Sequence, residues 1–283
     1  MIEIRDLSRT YGSGSNTKHV LEGIDLNIER GTFTAVLGRN GSGKSTLVKH
    51  INAILKPQHG SVSVDGMDTG DPRQIYNIRA RAGMVLQDPD SQAVASVVED
   101  DTAFAPENLG LDEDEINKRV EFALVAAGIS ELRKKSISTL SGGQKQLTAI
   151  AGILAMCPEY MIFDESTSML DPLSRKRILE CVMRLKSELE LSVVWITHYM
   201  DEAAAADKVI VINDGAVAAE GPPKEVFSDI ELIEKCGLEL PPCAQLCIML
   251  KNAGYAVPRL ALNAHDCAAL IADMLSDARG GIS

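Results

Sequence analysis

The sequence predicts an α/β fold: a sheet core assembled around a phosphate-binding loop, with a small antiparallel sheet ahead of it and a small helical appendage behind it. Three observations predict this. Gly38 to Ser45 has the spacing G-x-x-x-x-G-K-S, preceded by the apolar run Phe33 to Leu37 and followed by a helical run from Leu47 to Ile51. Two later apolar runs, Tyr160 to Phe163 and Ser192 to Ile196, each deliver polar residues at their ends, the form of a buried parallel strand whose C-terminal end faces a ligand. From Pro222 onward, prolines cut the chain into short helical segments.

The first thirty residues alternate apolar and polar (Ile2, Ile4, Leu7, then Val20, Leu21, Ile24, Leu26, Ile28), which gives the antiparallel sheet. Between those strands Tyr11 precedes Gly12-Ser13-Gly14-Ser15-Asn16. Tyr11 is either an ordinary surface residue or a flat platform for an adenine ring. In the loop that follows, Gly38, Asn40, Gly41, Ser42, Gly43 and Thr46 form a cradle whose main-chain N–H groups and helix N-terminus attract phosphate. Lys44 would reach the β- and γ-phosphates and Ser45 would hold Mg²⁺, so the chain is expected to bind a nucleoside triphosphate.

Ser61 to Gly66 reads as a strand and turn, and Ala82 to Gln87 as a strand ending in an amide. Gln87 either caps that strand or, if the strand lies beside the phosphate loop, touches Mg²⁺ and the attacking water as a sensor. The acid-rich stretch from Val97 to Glu115 is a solvated face or a docking site for a basic partner element. A helix is expected over Glu115 to Ala127, stopped by Gly128. Ser141, Gly142, Gly143 and Gln144 then open a helix running to Met156, a second anion-attracting N-terminus in one chain.

Asp164 suits the outer coordination sphere of Mg²⁺, and Glu165 suits polarising a water for attack on the γ-phosphate. Asp171 with Pro172 caps the next helix. His198, at the tip of the strand ending Trp195-Ile196-Thr197, is placed to bridge γ-phosphate and Glu165 rather than to be a satisfied core histidine. Lys208 to Asn213 and Ala216 to Ala219 form a hairpin around Asp214-Gly215. In the tail three helical segments are expected, the last capped by Asn263 with Asp266 three residues on.

Composition sets further bounds. With 283 residues, 45% of them apolar, the chain has room for one large domain and a small one. A formal net charge of -12, from 40 acidic against 28 basic residues, argues against a general electrostatic footprint for nucleic acid. Apolar stretches such as Leu147 to Cys157 fall short of the roughly 18 residues of a membrane span, and Met1-Ile2-Glu3-Ile4 reads as the opening of a strand pattern and is not expected to be a leader. The expectation is a chain that meets a membrane only through partners. The six cysteines are scattered, which fits reduced thiols in a cytosolic compartment; Cys243 and Cys247 stand four apart, yet with Cys236, His265 and Cys267 they match no common zinc pattern.

Taken together and in this order, the phosphate loop, Gln87, Leu140 to Gln144, Asp164-Glu165, Asp171 and His198 resemble the ATP-binding-cassette ATPases over nearly the whole of residues 1–220. The resemblance implies a P-loop NTPase of ABC type: a mixed sheet core with an antiparallel β subdomain and a helical subdomain over approximately 88–156, within a nucleotide-binding domain 1–221, followed by a C-terminal helical domain 222–283. In that family two subunits pair head to tail. Each ATP is then held by Lys44 and its loop from one subunit and by Ser141, Gly142 and Gly143 from the other, with Glu165 as general base and His198 positioning it. The implied site set is Tyr11, residues 38 and 40–46, Ser141 to Gln144 and Asp171 for ATP, with Ser45, Gln87 and Asp164 for Mg²⁺.

A narrower likeness lies in Gln87 to Gln92, Val98 to Asp101, Ala105 to Gly110, Asp164 to Pro172 and Gly221 to Phe227. These resemble the ATPase subunits of energy-coupling-factor importers, in particular the first of two paralogous ATPases. That implies a peripheral subunit on the cytoplasmic face of the cell membrane, paired with a paralogue or a second copy, beneath a transmembrane coupling component and a membrane substrate-binding component. Its work would be uptake of a vitamin or transition-metal ion. Leu147 stands where such ATPases usually carry arginine and Asp88 where asparagine is commoner. The alternative is a non-transport cassette ATPase of the ribosome-associated or DNA-repair kind, but no sustained heptads separate Ser45 from Ser141. A guanine-reading Asn-Lys-x-Asp is absent, since Asn117-Lys118 continues as Arg119-Val120.

Overall fold

Alternation at the start of the chain buries Ile2, Ile4, Leu7, Leu21, Ile24, Leu26 and Ile28 on one side of an antiparallel pair. In the computed structural model, which describes residues 1–12, 14 and 17–280, that pair is β1 (Ile2–Tyr11) and β2 (Lys18–Ile28). Ser13, Ser15 and Asn16 of the expected glycine-serine turn lie outside the described residues. β3 (Phe33–Leu37) leaves for a second sheet and runs through the phosphate loop into α1 (Lys44–Ile51). β4 (His59–Val64) and β5 (Met67–Asp68) return to the first sheet, giving the order β2-β1-β4-β5.

After α2 (Ile75–Arg81), β6 (Ala82–Val85) joins the edge of the second sheet. Next come one helical turn, α3 (Pro89–Gln92), and three helices packed on one another: α4 (Val98–Asn108), α5 (Glu113–Ala127) and α6 (Gly142–Leu154). The turn forms because the Asp88 side chain accepts the Asp90 N–H and Pro89 fills the first helical position. Aspartate serves that cap as well as asparagine would. Gly128, in the left-handed conformation, ends α5 as its position in the sequence predicts.

The second sheet has the order β10-β9-β3-β8-β7-β6, with β7 (Tyr160–Asp164), β8 (Ser192–Ile196), β9 (Lys208–Asn213) and the hairpin strand β10 (Ala216–Gly221). The chain passes through α7 (Pro172–Leu189) and the short α8 (Met200–Ala203) between them. β3, β7 and β8 are buried at every residue, and alternate side chains enter opposite cores. Val36, Ile162, Val194 and Ile196 join the first sheet and α1, while Phe33, Phe163 and Trp195 join the helices. This explains their near-continuous apolar character.

The tail holds four helical segments among the described residues where three were expected: α9 (Pro223–Val226), α10 (Ile230–Lys235), α11 (Pro242–Asn252) and α12 (Ala264–Gly280). The extra start is Asp229, whose carboxylate accepts the Leu232 N–H. Asn263 accepts the Asp266 N–H, as its position predicts. Val226, Phe227 and Ile233 belong to the main core, whereas Cys247, Ala261, Cys267 and Leu270 form a small core of their own. All six cysteines are free thiols.

One polar knot ties the two sheets. Asp65, in the turn after β4, accepts hydrogen bonds from Arg30 Nε at 2.9 Å, the Tyr160 hydroxyl at 2.8 Å and the chain's N-terminal amine. Burial pushes its carboxyl up, but Arg30, the amine and Tyr160 outweigh it and hold the group well below the usual carboxylate range. A carboxyl depressed in the folded state stabilises fully above its unfolded pKa and loses that contribution as pH falls. Asp65→Asn is therefore expected to cost ~1–3 kcal/mol at pH 7. In urea titrations the gap between wild type and variant should narrow below about pH 4; a gap constant from pH 7 to pH 3 would refute the assignment.

Candidate active site

The phosphate loop is shaped by two glycines with no room for a side chain. A Cβ on Gly38 would lie 2.2 Å from the Ile212 carbonyl oxygen, and one on Gly43 would lie 2.6 Å from that of Val20. Gly43, at φ 109°, is the residue that turns the chain into α1, and no side chain caps that helix. Its first N–H groups are thus left to an anion. Lys44 folds back over the loop, donating to Gly38 O at 2.9 Å and Arg39 O at 3.1 Å. Burial lowers its pKa, opposed by Glu165 and Asp164. The loop opens on a cavity of ~380 Å³ lined by Tyr11, Lys18, Val20, Gly41, Gly43, Lys44, Ser45, Thr46 and Glu165.

The sheet brings the acids to this loop. Since β8 lies between β3 and β7 and all three run parallel, their C-terminal ends share one edge. At that edge the Ser45 hydroxyl donates to Asp164 Oδ1 at 2.6 Å, and His198 Nε2 lies 2.7 Å from Glu165 Oε1. The same Glu165 oxygen stands 3.6 Å from Lys44 Nζ. Burial pushes the Asp164 carboxyl up, whereas the His198 hydrogen bond leads the causes that hold Glu165 below its ordinary range. Ser45 and Asp164 form a hard-oxygen pair with a carboxylate short of positive charge, which fits a divalent cation such as Mg²⁺. Glu165 itself has a left-handed backbone, φ 52°, a strained conformation for a side-chain-bearing residue.

The other predicted residues lie as follows. Gln87 does not stand on a strand beside the phosphate loop: β6 is separated from β3 by β7 and β8. Its link to the site runs through the neighbour β7, with Gln87 Nε2 donating to Ser168 Oγ at 3.2 Å. Asn40 is exposed beside the loop, and Ser42 is buried with its hydroxyl unpartnered. Tyr11 lies at the cavity mouth with the Arg9 guanidinium 5.0 Å from its ring centre.

Ser141, Gly142, Gly143 and Gln144 do not line the cavity. They form a capping box at the start of α6, packed beside Leu170 and Ser174. Asp171 caps α7, accepting the Leu173 and Ser174 N–H groups at 3.0 Å each, and it too stands outside the cavity. Half of the eight acids in the run are spent internally: Glu99 pairs with Arg133 and Lys134, Asp101 receives the Val94 and Ala95 N–H groups, Asp112 caps α5 and Glu115 pairs with Arg119. Leu147, in place of the usual arginine, packs against the main core.

Sequence reasoning missed Lys18 and Val20 as cavity walls, and missed Glu202, a buried carboxylate behind the Glu165–His198 pair. No local pattern marks them; β2 reaches the loop only through the tertiary fold.

Comparison with known proteins points to one family. A family model described as ABC transporter matches residues 21–168. The chain is 47% identical over 259 residues to an energy-coupling factor transporter ATP-binding protein EcfA1 of Caldanaerobacter subterraneus subsp. tengcongensis, covering 91% of this chain and 94% of that one. It is 52% identical over 242 residues to the protein of the same name from Symbiobacterium thermophilum, covering 86% and 84%. Among solved structures it is similar to cbiO1 from Clostridium perfringens, described as part of the ABC transporter complex cbiONQ, with a TM-score of 0.75, 40% identity and coverage of 87% and 97%. A dimeric ATP-binding cassette in a post-hydrolysis state with ADP and Pi gives a TM-score of 0.71 at 28% identity, covering 79% and 99%. The chain therefore belongs to the ABC transporter family of ATP-binding, ATP-hydrolysing proteins and, within it, to the energy-coupling factor ATP-binding proteins.

Proposed function

We propose that this ATPase powers uptake of a vitamin or transition-metal ion, with Glu165 as the general base and with each ATP shared between two subunits. The observation that carries the catalytic reading is the 2.7 Å contact between His198 and Glu165, whose carboxylate lines the loop cavity with Oε1 3.6 Å from Lys44 Nζ. Lys44 and the α1 N-terminus neutralise the phosphates. Glu165 takes a proton from the attacking water as the bond from the γ-phosphorus to the bridging oxygen breaks, leaving ADP and phosphate. His198, with its Nε2 proton toward Oε1, holds that carboxylate in place and ionised. Ser45, Asp164 and the Gln87 amide oxygen would hold Mg²⁺, which when bound neutralises charge on the phosphates.

The second anion device supports the shared pocket. Ser141, Gly142 and Gly143 stand at a helix N-terminus outside their own chain's cavity, which fits a role on the ATP of a paralogue or second copy, with Gln144 and Asp171 nearby. The division at residues 221 and 222 belongs to the same reading: a nucleotide-binding domain with its helical subdomain, then a C-terminal helical domain. No helix among the described residues is long and apolar enough to cross a membrane. We place the chain on the cytoplasmic face, beneath a transmembrane coupling component that works with a membrane substrate-binding component. A groove of ~750 Å³ that includes exposed Tyr76, Val94 and Phe104 lies between α2 and α4, is lined also by Gln92 at the end of the turn after Gln87, and suits an apolar partner helix better than the acid run does. The relatives' names do not favour a ribosome-associated or DNA-repair role.

Glu165→Gln is expected to lower steady-state ATP turnover by about 10²- to 10⁴-fold while ATP binding persists; near-normal turnover would remove Glu165 from the mechanism. Lys44→Ala should weaken ATP binding by ~10- to 100-fold in a fluorescent-nucleotide titration, and an unchanged affinity would contradict the cradle.

A further inference from the structure

Glu202 lies on α8, four residues after His198, and is 2% exposed. A carboxylate so deeply buried must satisfy its oxygens. Three side-chain donors converge on it. Trp195 Nε1 donates at 2.9 Å and Thr197 Oγ1 at 2.5 Å, both to Oε2. Thr167 Oγ1 lies 3.0 Å from Oε1 and 3.2 Å from Oε2. Thr197 Oγ1 also accepts the Tyr199 N–H at 3.0 Å, so its own proton is committed to Glu202.

The three donors are not scattered. Thr167 sits in the turn two residues past Glu165, Thr197 immediately precedes His198, and Trp195 belongs to β8 itself. One buried carboxylate therefore holds the turn after β7 and the turn after β8 at the same point. Those turns carry the two partners of the 2.7 Å contact, and one of them holds Glu165 at φ 52°. A strained backbone persists only where its surroundings over-determine it. The Glu165 N–H bond to Ile196 O, at 3.2 Å, is one such restraint, and Glu202 supplies others from behind. Arg175, stacked 3.4 Å from the centre of the Tyr199 ring, is the nearby positive charge.

We propose that Glu202 is a positioning residue for hydrolysis: through Thr167 and Thr197 it sets the separation and orientation of Glu165 and His198. This rests on the reading of those two residues as the hydrolytic pair. Glu202 touches no part of the phosphate loop cavity, so its removal should affect the chemical step and spare nucleotide binding.

Glu202→Gln turns one acceptor into an N–H donor facing groups that are donors already. At a temperature well below unfolding, kcat should fall by about 10- to 100-fold, with KM for ATP nearly unchanged. Thr197→Val, which deletes the hydroxyl that donates to Glu202 and accepts the Tyr199 N–H, should reproduce the loss, and Thr197→Ser, which keeps both bonds, should restore activity. Combined with His198→Ala, Glu202→Gln should lower the residual turnover little further, because the residue it acts through is gone.

Three results would overturn the proposal: a folded Glu202→Gln enzyme with wild-type kcat, Thr197→Ser as impaired as Thr197→Val, or losses that multiply in the His198→Ala background. If Glu202→Gln does not fold, the Thr197 pair, alone and with His198→Ala, decides the matter. Wild-type turnover by His198→Ala alone would instead refute the hydrolytic pair, a failure separate from that of the clamp.

Discussion

The parallel pairing of β3, β8 and β7 is the constraint from which the site follows. Each strand ends at the same edge, so a glycine loop, a histidine and two acids separated by more than a hundred residues meet there, with Glu165 lining the loop cavity and Asp164 and His198 bonded just behind it. Full burial of these strands on both faces makes the arrangement stiff. The polar residues begin where the sheet ends, and there the charges meet in a partly dry environment. That is why burial pushes Lys44 down and Asp164 up, while the 2.7 Å histidine contact, joined by Lys44, outweighs burial and holds Glu165 below its ordinary range.

A second constraint is what this edge does not gather. The capping box at Ser141 is held by α6 against α7, away from the cavity. We read this anion device, which lies outside its own chain's cavity, as one that serves the ATP of a second subunit. In this account ATP is the material that joins two half-sites, and its cleavage lets them part; a transporter subunit needs such a cycle, since work is delivered only if closure and opening are coupled to chemistry. The groove beside α4 gives that motion an apolar surface on which to act.

Features set by local chemistry were legible in the sequence. The loop spacing located the cradle because glycine is required at Gly38 and Gly43 by contacts of 2.2 and 2.6 Å that any side chain would make. The apolar runs before Asp164 and His198 located the strand ends, because a strand buried on both faces cannot hide polar residues along its length. Caps at Asp171 and Asn263 and the stop at Gly128 were legible for the same reason. What remained hidden depends on distant partners. Strand order put β6 at the edge, not beside β3, and no property of Ala82 to Val85 encodes that. Asp229 opened an extra helix that proline positions alone did not announce. Nothing in the sequence singles out Glu202, and only the fold shows three hydroxyl and indole donors around it.

The most direct test of the split pocket is the dependence of ATPase rate per molecule on protein concentration, using the purified chain with MgATP in excess. Two half-sites on separate chains require the per-molecule rate to fall in proportion to concentration once dilution passes the pairing threshold. A rate per molecule unchanged across that whole range would mean that one chain suffices, and the account of shared ATP would be wrong.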